Sequence, residues 1–390
     1  MRIVYCYNTL WKTGGMETIT AFKANALSYI DGNDVWVIVT DAPQSHQNVL
    51  SPNVHLVDLG IHYDEISSRF PFNLIRRFSK RQLHRKRLRK LFQEILPDIV
   101  ISLGGHERKI LPFLHGPWVL LRECHTISNL HIATQNKLVK VTAWLGEIIE
   151  FRLLFKRYDC IVVLTEEDKR TYWHNDARVT VIENPLRFSS VQLSPLTAKR
   201  VVSIGRLSQI KGFSQLIRAF KIVVDSYPDW ELHIYGDGPD RQYILDEILS
   251  LGIQDSVFLH GITNSVQEEL AGASIYACSP RYEGFGLAIL EAMSCGLPVV
   301  STDCPYGPRA LIDNGHSGFL VPVDDVQGLS DKISLLIGDS NLRKQMGANA
   351  HNSTKKYSPD QIIQRWMELF QKLVSKKNTI RWQKLLILIL

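Results

Sequence analysis

Short apolar runs alternate with longer amphipathic stretches along most of the chain. Residues 3–7, 35–40, 54–59, 99–102, 119–121 and 161–164 are brief and rich in Val, Ile and Leu. That pattern predicts strands buried on both faces. Stretches with helical spacing lie between them, the first over residues 16–29. After a Pro- and Ser-rich stretch at 184–200 the alternation resumes. Strands are predicted at 201–204, 232–235, 257–260, 275–278 and 299–301, with helices at 266–272 and 287–293. Strands alternating with helices build parallel sheets covered on both faces. The expected fold class is therefore α/β, with two Rossmann-like, doubly wound domains. The expected boundaries are 1–183 for the first domain, 184–200 for a linker and 201–356 for the second. Residues 357–390 supply a helix at 359–374 and an apolar tail, IRWQKLLILIL.

Length and composition agree with this division. A chain of 390 residues is too long for one ordinary domain and comfortable for two. The six cysteines include no Cys-x-x-Cys pair. They read as buried thiols of a reducing cytoplasm, without disulfides or zinc. MRIVYCYN opens as a strand rather than a signal peptide, and no apolar run reaches the ~20 residues that span a bilayer. The net charge is +6, and all of that excess falls within residues 1–190.

Much of it belongs to one stretch, IRRFSKRQLHRKRLRKLF, residues 75–92. Its apolar positions recur at helical spacing among nine Lys and Arg residues. An amphipathic basic helix suits an anionic membrane surface, with Ile75, Phe78, Leu88 and Leu91 in the headgroup boundary. A solvated helix face is the plain alternative. No nucleic-acid-binding module accompanies the charge, so nucleic acid is not an expected partner.

Chemistry concentrates in PRYEGFGLAILEAMSCGLPVVST, residues 280–302. Glu283 precedes Gly284, Phe285, Gly286 and Leu287, and a helix then carries Glu291. The glycines leave backbone N–H groups uncovered at the helix start, and such a terminus accepts anions. From Gly286 to Glu291 the helix rises roughly 7 Å, so the two carboxylates reach different parts of one ligand. Carboxylates accept hydrogen bonds from hydroxyls, which makes sugar or ribose natural partners. Upstream, Gly205 ends a strand, and Arg206 and Lys211 follow before the next helix. Two fixed cations at a Gly-rich turn suit a diphosphate. Gly236 ends another strand, in GDGPDR. Arg241 takes the place of the third glycine there, which weakens a dinucleotide reading. In the first half, Gly14 and Gly15 follow the first strand and permit a close approach to a ligand. His125 sits just beyond the carboxyl end of the strand at 119–121, where open α/β sheets bind ligands. Glu123 and Asn129 are its weaker neighbours.

The Glu-x7-Glu arrangement with Gly-Phe-Gly-Leu inside it resembles the nucleotide-sugar site of retaining glycosyltransferase family 4, which has the GT-B fold. The resemblance runs from Gly14-Gly15 to about Pro322. It implies two domains facing a cleft, with Arg206 and Lys211 on the donor diphosphate. It also implies that Gly14, Gly15 and Gly236 line the donor site and that His125 lies near the transferred sugar. Glu291 is expected on the ribose and Glu283 on the sugar hydroxyls. Gly307-Pro308-Arg309 is similar to members that build bacterial surface polysaccharides.

The function so implied is transfer of a sugar, with retention, from a nucleotide diphosphate sugar to a hydroxyl. UDP is the expected nucleotide and a lipid-linked or growing glycan the expected acceptor. The chain holds no Asp-x-Asp pair, so no metal and no cofactor beyond the co-substrate is expected. The expected place is the cytoplasm, peripheral on the inner membrane. A sugar-nucleotide epimerase of the same fold and a non-catalytic nucleotide-sugar-binding subunit remain the alternatives.

Overall fold

The structure, a computed structural model, describes residues 1–10, 14–41, 50–63, 72–125, 153–188 and 191–389. Asn129 and residues 11–13 of the first glycine loop lie outside them. The chain forms two compact units. One comprises Met1–Leu164, Lys169–Ile182 and Asp360–Leu390, and the other Thr165–Asp168 and Glu183–Pro359.

The first unit is built on a parallel sheet of seven strands among the described residues, in the order β3-β2-β1-β4-β5-β6-β7. These are β1 (Arg2–Tyr7), β2 (Asp34–Val39), β3 (Val54–Asp58), β4 (Ile99–Ser102), β5 (Val119–Glu123), β6 (Cys160–Val163) and β7 (Val179–Val181). The last, three residues long, is too short to stand out in the sequence. Helix α1 (Gly15–Ser28) buries Ile19, Ala24 and Leu27 on the sheet. Because the chain leaves β1 in one direction for β2 and in the other for β4, their carboxyl ends diverge into a crevice.

Helix α2 (Phe72–Ile95) is the basic helix, and it corrects part of the sequence reading. His84, Leu88, Phe92 and Ile95 form its buried stripe, and Leu91 packs beside them. Leu88 and Leu91 therefore belong to the core and are not available to a membrane. Ile75 and Phe78 are 65% and 62% exposed. Arg87 donates to the carbonyls of Leu59 and Gly60, and Arg85 to that of Phe113, so these arginines anchor the helix. Only the outward face, with Arg76, Lys86 and Arg89, remains a solvated cationic surface.

The second unit holds a six-stranded parallel sheet, in the order β10-β9-β8-β11-β12-β13. Its strands are β8 (Arg200–Ile204), β9 (Glu231–Tyr235), β10 (Val257–Gly261), β11 (Ile275–Cys278), β12 (Val299–Thr302) and β13 (Gly318–Val321). Here the order reverses between β8 and β11, and the described α-helices between α2 and the one at Leu287 are α3 (Glu166–Thr171), α4 (Phe213–Ser226), α5 (Arg241–Ser250) and α6 (Val266–Ala271). The stretch 184–200, read as a linker, is packed onto this unit. Leu186 N donates to Tyr357 O, Ser194 N to Cys295 O, and Leu196 is buried.

The C-terminal helix runs over Pro359–Ile389, so the tail continues it rather than following it. Ile362, Ile363, Trp366 and Phe370 join the core of the first unit. No described helix is long and apolar enough to cross a membrane.

Candidate functional site

The turn after β8 and the loop after β11 meet at the point where the second sheet reverses its order. They are locked together by backbone. Arg281 N donates to Ile210 O at 2.8 Å, and Ser279 Oγ to Gly212 O at 2.6 Å. Gly212 has φ +65°, and a Cβ there would lie 2.0 Å from Ser279 O, so only glycine fits. This closure brings Lys211 against Glu283, and the two form an ion pair. Burial pulls the Lys211 ammonium down, but Glu283 more than offsets it and the net shift is upward. Arg206 stands exposed on the same turn and makes no ion pair among the described residues. Gly236, at the end of β9, supports that turn from below. A Cβ there would lie 1.9 Å from Gly205 O.

Glu283 is held by its own backbone. Tyr306 N and Gly307 N both donate to its carbonyl, at 3.0 and 2.9 Å, and Glu283 N donates to Pro305 O at 3.2 Å. Pro305, Tyr306 and Gly307 thus clamp the main chain around Glu283. Gly284 is half-buried, and Gly286, with a left-handed φ of +95°, opens helix α7 (Leu287–Ser294). No side chain caps that helix, so its first N–H groups have no intrahelical partner. The Phe285 ring is buried against Tyr357, which leaves only its backbone to a ligand, and Leu287 is half-buried.

Glu291 is 3% exposed on α7. Arg187 Nε donates to its Oε1 at 2.6 Å, and a second guanidinium nitrogen pairs with the same oxygen. Burial raises the Glu291 carboxyl above the usual carboxylate range, and Arg187 opposes that rise. Sequence reasoning missed Arg187, because it lies in a Pro- and Ser-rich stretch that reads as a linker. Its only local signal was a lone cation two residues after Pro185.

The structure gathers a different set in the first unit. His125 Nε2 lies 3.0 Å from Glu123 Oε1, just past the carboxyl end of β5. The same oxygen pairs with Lys23 of α1, and both side chains are 1% exposed. The Lys23 ammonium sits 4.6 Å above the Trp366 ring of the C-terminal helix. Burial raises a carboxyl, but Lys23 and His125 more than offset it and hold Glu123 down at about 2. Burial also lowers the Lys23 ammonium, against the pull of Glu123. Lys23 carried a signal that sequence reading passed over. Ile19, Lys23 and Leu27 fall on one helical stripe, and a lysine in an apolar stripe needs a buried partner. Gly14 caps α1 and Gly15 is its first residue. Glu17 folds back over Gly14, so that a Cβ there would lie 2.2 Å from its Oε2.

Comparison with known proteins places these residues among recognised chains. The family described as glycosyl transferases group 1 matches residues 187–353. An uncharacterized glycosyltransferase of Haemophilus influenzae is 30% identical over 287 residues, which are 72% of this chain and 78% of that protein. Exopolysaccharide phosphotransferase SCO2592 of Streptomyces coelicolor is 36% identical over 230 residues. These are 57% of this chain, but the chain spans only 24% of that longer relative. Among solved structures, Staphylococcus aureus TarM, crystallised with fondaparinux, alpha-GlcNAc-glycerol and UDP, superposes with a TM-score of 0.77. The match covers 95% of this chain and 99% of TarM at 17% identity, a likeness of fold.

Proposed function

This chain belongs to the group 1 glycosyl transferases and has their GT-B fold, and from that premise we propose that it is a retaining, metal-independent hexosyltransferase. Its donor is a UDP-sugar, and its acceptor a hydroxyl of a lipid-linked or growing glycan of a surface polysaccharide. The observation that carries the reading is the convergence of Arg206, Lys211 and Glu283 where the second sheet reverses, with Glu291 behind them on α7. The UDP in TarM and the exopolysaccharide relative support the choice of donor and product.

In this reading the diphosphate lies between Arg206, Lys211 and the uncapped N-terminus of α7. The backbone N–H groups of that terminus are fixed before the reaction. Negative charge that develops on the departing UDP therefore meets donors that need no reorganisation, which is where electrostatic catalysis is strongest. Lys211 exchanges Glu283 for a phosphate oxygen, and Glu283 is then released toward the sugar. There it accepts hydrogen bonds from the sugar hydroxyls and stabilises positive charge at the anomeric carbon. Glu291 accepts from the ribose. His125, tied to Glu123, is the candidate for contact with the transferred sugar. Arg206 and Lys211 supply the counter-charge a metal would otherwise bring, so turnover is expected to persist in chelator.

The exposed Ile75 and Phe78 beside Arg76, Lys86 and Arg89 support docking on an anionic membrane surface that carries the acceptor. The direct test is turnover of labelled UDP-, GDP- and ADP-sugars with a membrane lipid extract. UDP released only with acceptor, into a product of unchanged anomeric configuration, is the expected result. Conversion of the donor sugar without acceptor would point to an epimerase, and binding without turnover to a non-catalytic subunit.

A further inference from the structure

Glu291 and Arg187 are 104 residues apart in sequence, yet the guanidinium closes on the carboxylate in an unusual way. Both of its contacts fall on Oε1. Among the described residues, no hydrogen bond falls on Oε2. A fork spread over both oxygens would saturate the carboxylate and leave it as a structural ion pair. A fork on one oxygen fixes the plane of the carboxylate and leaves the second oxygen able to accept. We propose that Arg187 is a positioning residue for the nucleotide, holding Glu291 by one oxygen so that the other is presented to the ribose diol of a nucleoside diphosphate. This inference rests on the reading of Glu291 as the ribose acceptor.

The surroundings explain why a cation is needed there. Glu291 is nearly inaccessible to water, and burial favours its neutral form. A neutral carboxyl loses the charge-assisted hydrogen bond to a hydroxyl, which is roughly twice as strong as a neutral one. The other titratable groups that feel its charge are the Tyr276 phenol on β11 and the Cys295 thiol at the end of α7. Burial pushes both up, the thiol to about 12, so both stay neutral. The elements packed on α7 hold their charges elsewhere. His351 lies on Ser294 O, Arg343 on the carbonyls of Leu196, Leu336 and Ile337, and Arg309 between Asp303 and Glu167. Glu269 pairs with Tyr235, and Glu268 and Lys344 face solvent. The charge that opposes the rise of the Glu291 carboxyl is that of Arg187.

Calorimetry with UDP, from about pH 8 to about pH 6, tests the proposal on wild type, Arg187→Met, Arg187→Lys, Glu291→Gln and the Arg187→Met/Glu291→Gln double variant. Arg187→Met is expected to weaken UDP about ten- to a hundred-fold, the worth of one charged hydrogen bond. The sign of the pH effect follows from the carboxylate. Affinity is present above the Glu291 pKa and lost as pH falls through it, and removing Arg187 moves that loss to higher pH. The deficit of Arg187→Met against wild type should therefore widen as pH falls, a ratio in which the titration of UDP itself cancels. Arg187→Lys should recover most of the affinity, and the double variant should bind no worse than Glu291→Gln alone. Unchanged or tighter binding by Arg187→Met, a deficit independent of pH, or additive losses in the double variant would overturn the proposal. Wild-type affinity in Glu291→Gln would overturn the ribose assignment instead, so the two failures are distinguishable. If Arg187→Met does not fold, Arg187→Lys and the double variant, which buries no unpaired carboxylate, carry the same comparison.

Discussion

Lys211 and Glu283, 72 residues apart, form an ion pair where the turn after β8 meets the loop after β11. In the proposed function a phosphate takes the place of the carboxylate on Lys211, and Glu283 is released toward the sugar.

The first prediction tests that exchange. Lys211→Ala and Arg206→Ala should each lose a charged hydrogen bond to the diphosphate, about 1.5–3 kcal/mol, or about ten- to a hundred-fold in UDP affinity by calorimetry. Arg206 has no ion pair to break among the described residues, so its variant should keep wild-type thermal stability. Unchanged affinity in both variants would remove the pair from the donor site.

The two glutamates should separate cleanly. Glu291→Gln is expected to weaken UDP itself. Glu283→Gln should bind UDP within about threefold of wild type, well inside the 1.4 kcal/mol of a tenfold change, while turnover of the UDP-sugar falls. Competition binding and initial rates on the same preparations give both readings. The reverse pattern would exchange the two roles.

A third prediction concerns stability in the first unit. Lys23→Met leaves Glu123 buried without its cation, a change that costs about 3–5 kcal/mol when one partner of a buried pair is removed. Lys23→Met/Glu123→Gln removes both charges and should be markedly more stable than the single variant in urea denaturation. The acid limb follows from Glu123. Its carboxyl is depressed to about 2, so its contribution is complete above the unfolded value of about 4.3 and is lost as pH falls from there to about 2. In the double variant this part of the acid limb should disappear.

The fourth prediction addresses the membrane. Wild-type protein should sediment with anionic vesicles at low salt and be released as salt rises, because such attraction is screened over ~8 Å at physiological ionic strength. Arg76→Glu, Lys86→Glu and Arg89→Glu together should abolish sedimentation and leave UDP affinity unchanged. Arg85 and Arg87 are unsuitable for this test, since they hold backbone carbonyls of the unit itself. Failure of the wild type to bind anionic vesicles at low salt would leave the basic face to a soluble partner.

The α/β class and most strand positions were legible in the sequence. Apolar periodicity reports directly which faces a strand or helix buries, and glycine beside a strand end reports a close backbone approach. The Glu283–Glu291 spacing was legible for the same reason, since both lie within one turn-and-helix segment whose geometry is local. What the sequence could not convey is which distant residues share a charge. Arg187 reaches Glu291 across 104 residues, and Lys23 reaches Glu123 across 100. Both pairings form only when the chain packs a helix against a distant segment, α1 with Lys23 against β5, and α7 with Glu291 against the stretch that carries Arg187. The basic helix shows the same limit. Its composition marked it as cationic and amphipathic, but the core decided which apolar residues it keeps. Leu88 went inside and Ile75 and Phe78 stayed out. Periodicity registers a face, and only the tertiary structure supplies what lies against it.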